Sequence, residues 1–148
     1  MIYLLFIAVP LLGQTLRVSS ASGSSGESLA LDVSMDSPAA QRPSILKWET
    51  IFPAQLLEVD PSGPEVGGLA KESGKSLTCT LRQSYAYICI LAGGQKPIGN
   101  GRIAIFRFKI RAGARTGTAA IRIDQVEAAT VDLQSLKFVG SEGHVEVH

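Results

Sequence analysis

The sequence predicts an all-β domain, a sandwich of two antiparallel sheets. Three observations lead there. Short runs rich in β-branched and aromatic residues alternate apolar with polar positions. Clusters of Gly, Pro, Ser and Asp separate those runs at close intervals. No amphipathic helix of useful length lies between them, whereas an α/β fold needs helical runs of about 10 to 15 residues there. At 148 residues the chain fits one domain, enough to bury about two-thirds of the surface its unfolded form exposes. It contains no internal repeat of the kind that builds solenoids.

The chain opens with MIYLLFIAVPLL, which carries no charge. This is too short to span a bilayer, which takes about 20 apolar residues, but it suits the apolar segment of a secretory leader at about 7 to 15. Gly13 and Gln14 supply the junction, although no Lys or Arg precedes Arg17. The reading is a signal peptide over residues 1–14, a domain over 15–148, no stable membrane span, and a secreted or periplasmic location.

A first run covers Leu16 to Ser20, and SASGSSGE after it reads as a loop. Leu29, Leu31, Val33 and Met35 then alternate with Ala30, Asp32 and Ser34, the pattern of a half-buried strand. Pro38 and Pro43 mark the next loop, because proline cannot donate to a ladder. In ILKWETIFP, Leu46, Trp48, Thr50 and Phe52 share one face and Lys47, Glu49 and Ile51 the other, so Trp48 points inward. AQLLEVD leads into the turn residues of DPSGPEVGG. SLTCTLRQSYAYICILAGG reads as a hairpin with its tip near Gln83 and Ser84, and its second arm, Tyr85 to Ala92, is apolar enough for a central strand.

Ala104, Phe106, Phe108 and Ile110 form the clearest alternation, with Phe106 and Phe108 assigned to the core. The opposite face carries Arg107, Lys109 and Arg111, a cationic row that reads as a solvated outer surface. AGARTG turns the chain into TAAIRIDQV, where Val126 joins the side of Ile121 and Ile123 only through a late bulge. EAATVDLQSLKFVGSEG suggests two short strands with an excursion and no helix, and the last strand is expected at His144 to His148.

Laid in order, these segments resemble the cohesin family. GESLALDVSM is similar to the family's Gly and acidic entry into an alternating strand, and ILKWETIFPAQLLEV to its aromatic strand with a proline turn. IGNGRIAIFRFKIRAGARTGTAAIRIDQVEA resembles its run of Gly, Ala, Phe and Lys positions before an Ala-Gly-Ala turn, and GHVEV its closing strand. The resemblance implies a jelly roll of about nine strands, related to carbohydrate-binding modules. In cohesins one sheet face docks a calcium-loaded dockerin within cellulose-degrading, polysaccharide-catabolising assemblies. By that analogy Lys47 and Glu49, with Thr78 and Thr80 as neighbours, are the candidate partner-binding face.

Cys79 and Cys89 lie on opposite arms of the hairpin. A two-residue loop would set Cys79 against Ile88; a three-residue loop with a bulge sets it against Cys89 and permits a bridge, which export favours over two buried thiols. Tyr85 and Tyr87 are candidate glycan contacts, and Trp48 is core rather than platform. Lys and Arg total 14 against 13 Asp and Glu, a balance that disfavours nucleic-acid and anionic-membrane partners. The only histidines are His144 and His148, so neither a zinc site nor any cofactor is expected. No nucleophile elbow, carboxylate pair or phosphate loop marks a catalytic residue. The expected function is an exported, non-catalytic protein-interaction module. A carbohydrate-binding module and a purely structural domain are the alternatives.

Overall fold

The computed structural model describes residues 13–148. The expected leader lies outside them except for Gly13 and Gln14, and Gln14 is already the first residue of a strand. Thirteen strand segments follow in order. They are β1 (Gln14–Val18), β2 (Ala21–Gly23), β3 (Ser28–Asp36), β4 (Ile45–Ile51), β5 (Leu57–Val59), β6 (Glu65–Val66) and β7 (Ser76–Arg82). The remainder are β8 (Ala86–Ala92), β9 (Gly101–Ile110), β10 (Gly117–Ala129), β11 (Ser135–Leu136), β12 (Phe138–Gly140) and β13 (Glu142–Val147). One short helix, α1 (Gly68–Glu72), lies between β6 and β7.

The strands form two sheets packed face to face. Sheet one runs β12-β1-β3-β9-β5, with β6 also on β9; sheet two runs β2-β13-β10-β4-β8-β7, with β11 on β10. The chain passes from one sheet to the other between β3 and β4, β4 and β5, β6 and β7, β8 and β9, and β9 and β10, while β7–β8 is a hairpin within sheet two, the crossings of a jelly roll. Alternation built these elements: in β3, Leu29, Leu31, Val33 and Met35 are buried, and in β9 Ala104, Phe106, Phe108 and Ile110. They face Leu46, Trp48, Leu91, Ile121 and Ile123 of sheet two. Trp48 is 1% exposed. Its indole N–H donates to Thr50 Oγ1 at 3.0 Å, which satisfies two polar groups that burial would otherwise leave costly.

Several expectations change. Ala21–Gly23, within the stretch read as a loop, pairs in parallel with β13. Strand β5 lies within AQLLEVD, strand β6 within the stretch read as turn, and helix α1 begins at the end of that stretch. Leu69, Ala70, Lys71 and Glu72 are good helix formers, and Gly67 before them must be small because a Cβ there would collide with the Arg102 carbonyl. The final strand begins at Glu142, two residues before the expected start. The late bulge in β10 is present: the register on β4 shifts between Asp124 and Glu127, with Gln125 at φ +48°.

Candidate functional site

The outer face of sheet two brings the four candidate partner-binding residues together. Cross-strand register aligns Glu127, Lys47, Ile90 and Thr78 in one row and Asp124, Glu49, Ile88 and Thr80 in the next, across β10, β4, β8 and β7. Lys47, Thr78 and Thr80 are not equally placed with Glu49. Glu49 is only 4% exposed, because Arg82 reaches over from β7 and donates to its carboxylate. Ala86 stands in the row between Arg82 and Ile51 and is fully buried, so the guanidinium lies across a small residue. Glu49 therefore serves as the buried half of an ion pair rather than as a free contact, and Arg82 is the group that solvent meets.

Sequence reasoning missed the apolar part of this face. Ile45 and Ile90 are each 40% exposed. With Lys47, Val126 and Leu136 they line an open groove of about 520 Å³, bounded by the β10 bulge and β11. The signal was present in β8, where Ile88 and Ile90 are apolar on the outward positions of a strand whose inward residues, Tyr87, Cys89 and Leu91, already supply the core. That strand lies second from the sheet edge rather than at its centre.

Cys79 and Cys89 form a disulfide, with Cα atoms 4.1 Å apart. The three-residue loop Gln83, Ser84 and Tyr85 sets the register, Arg82 against Ala86, and Gln83 takes φ +57°. Tyr87 is corrected as a glycan contact. Its ring is buried between Phe52 and Phe106, at centroid distances of 5.9 and 5.5 Å, and burial raises its phenol above the ordinary value, with the charge of Asp60 adding to that. Tyr85 alone remains exposed, under the Arg82 guanidinium. One tyrosine does not make a flat stacking strip.

The cationic row of β9 is partly neutralised: Arg107 pairs with Glu65 at 2.7 Å and Arg111 with Glu58 at 3.3 Å. Asp60 nearby is held below the usual carboxylate range by the hydroxyl and backbone N–H of Ser62. Lys75, at the entry to β7, is buried and donates to the Ser44 carbonyl at 2.8 Å, and desolvation lowers its pKa. Among the described residues no group of three His, Cys, Asp or Glu is placed to hold a metal, and no helix is long and apolar enough to cross a membrane.

No family model matches the sequence, and no curated protein is similar to it in sequence. Solved structures are similar in fold. A non-cellulosomal cohesin from the hyperthermophilic archaeon Archaeoglobus fulgidus superposes with a TM-score of 0.77 at 16% identity, covering 92% of this chain and 91% of that one. The sixth cohesin of scaffoldin B from Acetivibrio cellulolyticus, solved in complex with a dockerin, gives 0.79 at 16%, covering 92% and 99%. A type I cohesin from Clostridium thermocellum, also in complex with a dockerin, gives 0.79 at 14%, covering 92% and 94%. Agreement over nearly the full length of both chains, in a sandwich with the same layers, establishes that this chain has the cohesin fold.

Proposed function

We propose that this domain is an exported, non-catalytic docking module that presents the outer face of β10, β4, β8 and β7 to a protein partner of the dockerin kind. The observation that carries the reading is the character of that face. Ile45 and Ile90 are exposed and apolar, Lys47 stands beside both, and Glu127, Thr78 and Thr80 flank them on β10 and β7. Exposed apolar residues flanked by polar ones are how protein interfaces are built, and an isolated surface gains nothing from them. The fold is one whose solved examples include complexes with dockerins. Export is supported by the disulfide, which persists in oxidising compartments, and by the uncharged apolar start of the chain.

The test is quantitative capture of a partner from the envelope and culture fluid of the source organism. Ile90→Asp and Lys47→Glu are compared with the control Lys109→Glu on the opposite sheet. The face variants are expected to lose at least tenfold in partner affinity and the control to keep it. Loss in the control with retention in both face variants overturns the assignment of the face. Absence of a partner for the unmodified domain overturns the docking function itself.

A further inference from the structure

The borders of the two sheets are unequal. Strands β12 and β5 bound sheet one and β2 bounds sheet two with three residues each, whereas β7, at the other border of sheet two, runs for seven. Short border strands are one way sandwiches avoid pairing with other chains. Over Ser76–Leu81 strand β7 carries no charge and no proline and keeps an unbroken register on β8, with β6 of sheet one as its neighbour across the sandwich. Arg82, at its end, is engaged with Glu49.

The direction of its backbone groups follows from two distances. The 4.1 Å Cα spacing of Cys79 and Cys89 is that of a narrow, non-hydrogen-bonded pair. On the far side of β8 the Phe52 N–H donates to the Tyr85 carbonyl at 2.9 Å, which turns the amides of Tyr87, Cys89 and Leu91 toward β4. Thr78 and Thr80 therefore bond to β8, and the N–H and C=O groups of Leu77, Cys79 and Leu81 point off the sheet. Among the described residues none of these three makes a backbone hydrogen bond outside the ladder.

We propose that β7 is a self-pairing edge. A second copy of this chain adds its own β7 antiparallel, across a two-fold axis at Cys79, so that the two copies of sheet two become one continuous sheet. Self-complementarity selects this occupant. In that register Leu77 lies beside Leu81 of the other copy and Cys79 beside Cys79, so each outward donor meets an outward acceptor. On the outer face Thr78 stands opposite Thr80, a favourable cross-strand pair, and Arg82 stands opposite Ser76, so like charges never meet. Leu81, 42% exposed in the single chain, gains cover from Leu77 across the axis. The disulfide already fixes β7 to β8, so pairing orders little that was mobile. The contact is isologous; it sets Thr78 and Thr80, at the β7 margin of the docking face, against the other copy and leaves Ile45, Lys47 and Ile90 on β4 and β8 uncovered, and it does not rest on the docking reading.

Sedimentation velocity of the oxidised chain over a concentration series tests this. A monomer–dimer equilibrium is expected. Leu81→Pro removes an outward N–H and no bond to β8, and it is expected to weaken the dimer at least tenfold while the urea unfolding midpoint stays close to that of the unmodified chain. Thr78→Lys/Thr80→Lys and Thr78→Glu/Thr80→Glu each place like charges across the axis and are expected to be monomers, and an equimolar mixture of the two is expected to form a heterodimer. A chain that stays monomeric at millimolar concentration overturns the proposal. So does a dimer unchanged by Leu81→Pro, or a mixture of the charged variants that fails to associate.

Discussion

Breaking the Cys79–Cys89 bridge has a magnitude that follows from its position. The cysteines are 10 residues apart, and closing a loop of that size removes denatured-state entropy worth about 2.7 kcal/mol at 25 °C on the chain-entropy model. Set against a total stability of about 5 to 15 kcal/mol for a domain, that is a substantial share. At about 2 to 4 °C per kcal/mol for this size, the unfolding midpoint falls by about 5 to 11 °C. The double variant Cys79→Ala/Cys89→Ala is preferable to serine, since Cys89 is fully buried and a hydroxyl there would lack a partner. Urea unfolding measures the loss. Amide exchange locates it: among the described residues of one chain β7 pairs with β8 alone, so the N–H groups of Thr78 and Thr80 are expected to exchange faster than those of β3, which is flanked by β1 and β9. A loss below about 1 kcal/mol, with exchange in β7 unchanged, refutes the reasoning, because the hairpin would then be equally constrained without the covalent link.

Arg82→Ala leaves the Glu49 carboxylate buried without its partner, and a loss of about 1 to 3 kcal/mol is expected, reduced from the fully buried case because the Arg82 side chain is 44% exposed. Adding Glu49→Gln to that variant is expected to recover part of the loss in urea unfolding, and a loss under 0.5 kcal/mol in the single variant, about the scatter of an ordinary surface change, contradicts the pairing. Tyr87, with its phenol raised by burial, contributes stability that is complete below about pH 10, where the unfolded side chain titrates, and is lost as the pH rises through the higher folded value. Tyr87→Phe is expected to remove that alkaline loss, measured as the difference between the two unfolding free energies against pH. Gly140→Ala puts a Cβ against the Ile123 carbonyl, backbone that cannot swing away, and is expected to destabilise by about 1 to 3 kcal/mol by thermal unfolding; an unchanged midpoint rules out the close approach of β12 to β10.

The long strands were legible wherever one face is buried and the other wet, as in β3 and β9, because burial then forces period two on the sequence. Strands β2, β5 and β6 were not, and β11 and β12 were expected only as two short strands somewhere within EAATVDLQSLKFVGSEG. Two or three residues carry no measurable period, and their pairing is imposed by a neighbour elsewhere in the chain. Tyr87 was placed on the correct side relative to Cys89 but given the wrong exposure. With Ala86, Ile88 and Ile90 apolar on one side and Cys89 and Leu91 on the other, local pattern cannot say which side meets the core. The burial of Glu49 escaped notice because its cause, Arg82, sits 33 residues away on a strand that is not β4's neighbour.

The two ends of the described chain lie against each other. Strand β1 pairs in parallel with β12, β2 pairs in parallel with β13, and the His148 N–H reaches the Gly23 carbonyl at 3.0 Å. Both sheets thus take one border from residues near position 20 and positions 138–147 held together. Contacts that far apart in sequence carry the largest loop-closure cost and form late. A chain emerging N-terminus first cannot complete either sheet until residues 138–147 are available. If the domain is exported as proposed, it stays open until that segment has passed, and it closes on the far side, where oxidation can also join the hairpin.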